Sequence, residues 1–241
     1  MAMNPRLLRP LASGFNPKSI SGLEAWYAAD VSSSITIETG VQKWADLSGN
    51  GRDLIQNVTN NQPAHNSVTL NGKPTVTFDG NNDSMRVAFT LTQPYAYFGV
   101  MRFEAISGIH YLLDGRHQAS GSRSGEVLVF SSNKTILAGS LLSLNPTPAG
   151  SMTTFNVWDY LYNGGSSVVR LRKTAATVTG NAGTNNGSGL TMGAASGASN
   201  DSSFGNCSWA ELLVYSKSVP EAEADKIRKY LGTKWGLAYL S

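Results

Sequence analysis

The chain has 241 residues, 41% hydrophobic and only 15% charged, with a net charge of +3. The usual charged share is about 25%; here Gly, Ser, Asn and Thr fill the difference, the composition of a loop-rich β protein. The single cysteine, Cys207, excludes an internal disulfide and has no Cys or His at metal-ligand spacing, so a buried structural thiol is expected. No apolar run approaches the roughly 18 residues of a membrane span, and no leader pattern opens the chain. Synthesis and folding in a cytoplasm, without a membrane partner, are therefore expected.

The charge is unevenly placed. Residues 1–22 carry Arg6, Arg9 and Lys18 and no acid, whereas the rest of the chain has 16 bases and 16 acids. A neutral body is no footprint for nucleic acid, so no nucleic-acid partner is expected. The first 21 residues hold Pro5, Pro10 and Pro17, which forbid a continuous helix. They also hold Leu7, Leu8, Leu11, Phe15 and Ile20, too many apolar side chains for a solvated tail. Residues 1–21 therefore read as an extended arm that docks on a partner through Arg6, Leu7, Leu8, Arg9 and Phe15. The alternative is a terminus draped over its own domain.

From residue 23 the pattern is β. Strands are predicted at 23–27, at 35–43 with a turn at Thr39-Gly40, at 75–79 and at 85–91. The segment Asp79-Gly80-Asn81-Asn82-Asp83 between the last two predicts a hairpin. Residues 95–103 form an apolar and aromatic run that fits a strand covered on both faces. Further strands are predicted at 126–130, 135–138, 155–162, 168–173, 190–193 and 209–215. Asn163-Gly164-Gly165 supplies a turn, and Arg170 alternating with Val169 and Leu171 gives that strand one wet face.

One helix is predicted, over 218–231. Ser218 and Glu221 have capping-box spacing, Pro220 suits a first turn, and Gly232 suits a stop. Ile227, Tyr230 and Leu231 share a face. Many strands with short turns and no alternating helices give an all-β, antiparallel two-sheet jelly-roll sandwich, one domain over 22–241.

Three segments carry a resemblance: Gly22 to Tyr27 (Gly-Leu-Glu-Ala-Trp-Tyr), Asp46 to Gly51 (Asp-Leu-Ser-Gly-Asn-Gly) and Asn71 to Gly80. With the strand ending at Tyr215-Ser216 and the Lys234-Trp235-Gly236 ending, they resemble the concanavalin A-like, laminin-G-like jelly-roll family. The resemblance covers roughly residues 22–237. It is nearest to the versions in tailed-phage virion proteins and some bacterial surface proteins, and the arm from Asn4 to Pro10 looks like the phage versions.

The resemblance implies a non-enzymatic virion protein, such as a capsid decoration protein, anchored by its arm on the major capsid protein or another virion protein. Self-association is expected, with a trimer suggested by capsid geometry alone. The alternative is a carbohydrate- or receptor-binding module of a tail, fibre or cell surface. A calcium ion at a loop rim would use Asp46, Asp79 and Asp83; turn capping is the competing role of these residues. Glycanase relatives use paired carboxylates on one strand, and Glu126 and Glu211 stand singly on theirs, so no catalytic residue is expected. A sugar would stack on aromatics among Trp26, Trp44, Trp158, Trp209, Trp235, Tyr95, Tyr97 and Tyr162. His65, His110 and His117 lie in different segments, the last two seven residues apart across an expected turn, and read as loop histidines.

Overall fold

The computed structural model describes residues 14–118, 123–130, 133–144, 152–171, 176–197 and 201–237. The first half of the chain forms β1 (Leu23–Ala28), β2 (Ile35–Ile37), β3 (Val41–Trp44), β4 (Leu54–Ile55), β5 (Ala64–Leu70), β6 (Lys73–Asp79), β7 (Met85–Leu91), β8 (Tyr95–Phe103) and β9 (Ile109–Asp114). The second half forms β10 (Glu126–Phe130), β11 (Asn133–Leu137), β12 (Leu141–Leu144), β13 (Asn156–Tyr162), β14 (Ser167–Leu171), β15 (Ala176–Gly180), β16 (Gly187–Met192), β17 (Asn206–Tyr215) and helix α1 (Glu221–Trp235).

The strands make two antiparallel sheets. An eight-stranded sheet runs β15-β14-β13-β8-β17-β6-β5, with β1 also on β17. A nine-stranded sheet runs β12-β11-β10-β9-β16-β7-β4-β3-β2. The expected all-β sandwich with one C-terminal helix is thus what the chain forms.

Period-two alternation sorts side chains to the faces. Tyr95, Tyr97, Met101 and Phe103 of β8 point between the sheets, where they meet Leu112 and Val129 of the opposite sheet. The alternate β8 residues, Ala96, Phe98 and Val100, point outward into a second core. That core is roofed by Ala224, Ile227, Leu231 and Trp235 of α1. The continuous apolar run of β8 is therefore explained by cover on both faces.

Three expectations need correcting. Residues 79–83 do not close a hairpin: β6 belongs to the eight-stranded sheet and β7 to the nine-stranded one, so this turn carries the chain across the core. Nor does the capping box form. Pro220 is the N-cap with ψ 144°, no side chain caps the helix, and Glu221 instead accepts from Arg228 at 2.8 Å. The helix passes through Gly232 and stops at Gly236, whose φ of 64° is the left-handed conformation of a helix C-terminus.

The third correction concerns the arm. Asn16 caps a single turn at Pro17–Ser19, Ile20 is buried, and the Tyr215 hydroxyl donates to Pro17 O at 3.1 Å. Phe15, assigned above to a partner, packs on Tyr230 of its own helix with ring centres 5.6 Å apart. Residues 15–20 thus belong to the domain. Arg6, Leu7, Leu8 and Arg9 lie outside the described residues.

Candidate functional site

The outer face of the nine-stranded sheet carries a polar groove of about 500 Å³. It lies over β4 and β7, and its walls come from residues 56–61, 117–118 and 201–204. In β7, Met85 is buried in the core between the sheets, so the next residue, Arg86, points outward. Ile55 pairs with Arg86 across the ladder and supplies an apolar floor, and Phe204 and Val58 add apolar surface at the sides.

Arg86 is held by Asp201. Its Nε donates to Asp201 Oδ2 at 3.2 Å and Nη2 contacts the same oxygen, while Asp201 Oδ1 accepts from Gly197 N at 3.1 Å. The Asp201 carboxylate is only 3% exposed, whereas Arg86 is 24% exposed. Arg86 Nη1 has no partner among the described residues. Gln56 is anchored, donating to Ser84 O at 2.7 Å and accepting from Val58 N at 3.0 Å. Asn57 and Gln118, both exposed, keep unpaired amides among the described residues.

His117 stands beside Arg86. Burial pushes its pKa below the ordinary value, and the nearby guanidinium pushes the same way, against a smaller opposing pull from Asp201. The imidazole is therefore neutral at pH 7. Its backbone N–H donates to Ser188 Oγ at 3.2 Å. A Cβ on Gly189 would lie 2.9 Å from His117 Cβ, so a glycine there lets β16 approach this loop.

A buried ionic cluster supports the groove. Asp114 and Glu126 are both fully buried and share Arg116, whose Nη2 lies 2.7 Å from Asp114 Oδ2 and 3.3 Å from Glu126 Oε1. Arg123 adds a contact of 2.8 Å to Glu126 Oε2, and the Tyr111 hydroxyl donates to that same oxygen at 3.3 Å. Burial raises the Glu126 pKa while both arginines lower it. Asp114 also accepts from Arg116 N at 3.1 Å and from Ser196 N at 2.9 Å. It thereby fixes the two loops that deliver His117 and Asp201. Glu126 is thus not a lone acid: sheet register sets Asp114 beside it on the neighbouring strand, a pairing that spacing along one strand does not reveal.

The residues expected for calcium do not converge. Asp46 caps its own turn, accepting from Trp26 N at 2.9 Å, Ser48 N at 2.8 Å and Arg52 N at 3.2 Å. Asp79 accepts from Asn81 N at 2.8 Å, and Asp83 from Asp79 N at 3.0 Å. Among the described residues no three His, Cys, Asp or Glu side chains could hold a metal ion. Turn capping, the competing role, is what these carboxylates perform.

The expected sugar-stacking aromatics are also elsewhere. Trp44, Trp158, Trp209, Trp235, Tyr95, Tyr97 and Tyr162 are buried. Trp26 is half-buried, and its indole N–H is committed to Glu211 at 2.7 Å. Cys207 is buried and in no disulfide, as expected. A second hollow, about 680 Å³, lies between Phe15, Tyr230, Thr233 and Lys226. It opens at Gly14, where the described chain begins, so the polar groove is the better-defined candidate.

No family model matches the chain, and no curated protein matches it. Solved structures do. A Trypanosoma rangeli sialidase in complex with the inhibitor DANA is similar at a TM-score of 0.60 and 11% identity, over 91% of this chain and 34% of that one. The ligand-binding domain of botulinum neurotoxin serotype D in complex with N-acetylneuraminic acid is similar at 0.56 and 8%, over 86% of this chain and 50% of that one. The binding domain of botulinum neurotoxin DC in complex with SialylT gives 0.55 and 10%, over 87% and 51%. The chain spans about a third of the sialidase and half of the toxin domains.

At these identities the likeness shows the fold alone. It still overturns one expectation, that the chain is no enzyme. The fold is shared with chains that are sialidases, so it does not set this protein apart from glycosidases. What the comparisons establish is a β-sandwich whose structural neighbours are seen with sialic acid and related ligands.

Proposed function

We propose that this protein is a carbohydrate-binding β-sandwich and that its ligand lies in the groove over β4 and β7. The observation that carries the reading is the groove's chemistry. A fixed Arg86–Asp201 pair, two exposed amides and a patch of apolar surface surround a space within the usual 300–1,000 Å³ of small-molecule sites. Sugars need this mixture, since each hydroxyl both donates and accepts while the ring C–H face is apolar. The neighbours in complex with sialic acid and SialylT lend it support.

The test is titration of the protein with an oligosaccharide panel, followed by backbone NMR shifts. Binding should perturb residues 56–58, 117–118 and 201–204, and Phe204→Ala should weaken it at least tenfold with the fold intact. A silent panel, or binding that ignores Phe204→Ala, overturns the reading. Release of free sugar, followed in the same samples, reports any glycosidase activity. A virion setting with a capsid protein as partner rests on the sequence resemblance alone, and Phe15, one of its proposed anchors, is committed to Tyr230.

A further inference from the structure

The charge balance of the groove says which carbohydrates suit it. Two charged groups line it, Arg86 and Asp201, and they neutralise each other through direct contact. His117, the remaining titratable lining group, is neutral at pH 7. The other polar lining groups are amides and the Ser84 hydroxyl.

The position of Asp201 matters more than the sum. Its carboxylate is buried and held on both oxygens, by Arg86 and by Gly197 N, so it cannot swing away to free the guanidinium. An anionic group brought to Arg86 Nη1 also approaches this fixed carboxylate, and its attraction to one is offset by repulsion from the other. Asp201 takes the Nε–Nη2 edge of the guanidinium, so a ligand carboxylate would have to use the Nη1–Nη2 edge, still within reach of that fixed negative charge. A sugar hydroxyl needs no net charge. It can accept from Nη1 and donate to the amide oxygen of Asn57 or Gln118.

Resting on the carbohydrate reading, we infer that the groove selects neutral sugars and disfavours sialylated or otherwise anionic ones, unlike the ligands of its structural neighbours. Phe204 supplies the surface for the ring face, Arg86 Nη1 a fixed donor, and Asp201 the charge that rejects acids.

The experiment compares neutral oligosaccharides with the same glycans carrying a terminal sialic acid, titrated into the full chain. Neutral glycans should bind at least tenfold tighter than their sialylated counterparts. Asp201→Asn keeps the acceptor and removes the charge, and should narrow or invert that ratio by about tenfold. Arg86→Gln should do the opposite, leaving a net negative groove that rejects the sialosides further. It serves independently if Asp201→Asn does not fold. Sialosides binding as tightly as neutral glycans, or a ratio unmoved by these variants, overturns the inference and leaves the carbohydrate reading standing. Absence of binding by every glycan overturns both.

Discussion

The two outer faces of the sandwich treat polar groups in opposite ways. Under α1, Glu211 is fully buried and its four donors close round it. Trp26 Nε1 and the Tyr230 hydroxyl reach Oε1 at 2.7 and 2.8 Å, while Trp235 Nε1 and Lys234 Nζ reach Oε2 at 2.7 and 2.8 Å. Nearby, Arg228, 1% exposed, is held by Asp159, Glu221 and Asp225. The buried charges of Glu211 and Arg228 are thus spent on partners within the fold. Across the molecule, Arg86 keeps one arm free and Asn57 and Gln118 keep whole amides free among the described residues. Closed networks hold the helix to the sheet; the open one faces solvent with binding capacity unspent.

That contrast can be broken most forcefully at Glu211. Glu211→Ala leaves the indole N–H groups of Trp26 and Trp235 and the Tyr230 hydroxyl without their acceptor, while Lys234 keeps Asp30 at 2.9 Å, and about 2–4 kcal/mol of stability should be lost. Chemical denaturation measures it, and a loss below about 1 kcal/mol would mean the network is ornamental.

Asp83 probes the same rule from the other side. It is buried like Glu211, yet accepts only from Asp79 N among the described residues. Burial, aided by the neighbouring Asp79 charge and opposed by that hydrogen bond, pushes its pKa up to about 7. Because this folded value lies above the unfolded one, near 3.9, the folded protein binds the extra proton. This group's contribution is therefore complete below about pH 4 and is lost as pH rises through 7. Asp83→Asn should flatten that dependence and gain about 1–2 kcal/mol at pH 8. Melting curves across pH 4–8 that match the parent protein would contradict it.

The groove should behave differently. Replacing Asn57 and Gln118 together by Ala removes exposed groups, so stability should move by less than about 0.5 kcal/mol. Glycan affinity should fall roughly tenfold, about 1.4 kcal/mol. Loss of fold instead of affinity would erase the distinction between the two faces. The smallest effect belongs to Ser218→Ala. Since Ser218 caps nothing, its change should stay within about 0.5 kcal/mol, against about 1 for a working N-cap.

How far these features can be read from the chain depends on how local they are. The β8 run announces two-sided burial, and most strands appear in the residue pattern because side-chain alternation is local. The 79–83 turn misleads because its residues suit a hairpin but carry no record of which sheet receives the next strand. Ser218 and Glu221 have the right spacing for a cap, yet Arg228 outcompetes the backbone for Glu221. The groove has no motif at all. Its residues come from separate stretches of chain, and only the ladder order β4-β7-β16-β9 brings Arg86, His117 and Asp201 together. Asp114 and Glu126 are twelve positions apart, so their pairing is equally invisible before register is known.

The contact of Phe15 with Tyr230, and the hollow shared by Gly14 and Thr233, place both ends of the described chain on the helix side. The groove opens on the other side. A tether attached near Gly14 or Leu237 would therefore leave from the helix side, away from the groove. A sensor chip or bead coupled through that tether should present every groove outward, with no orientation wasted.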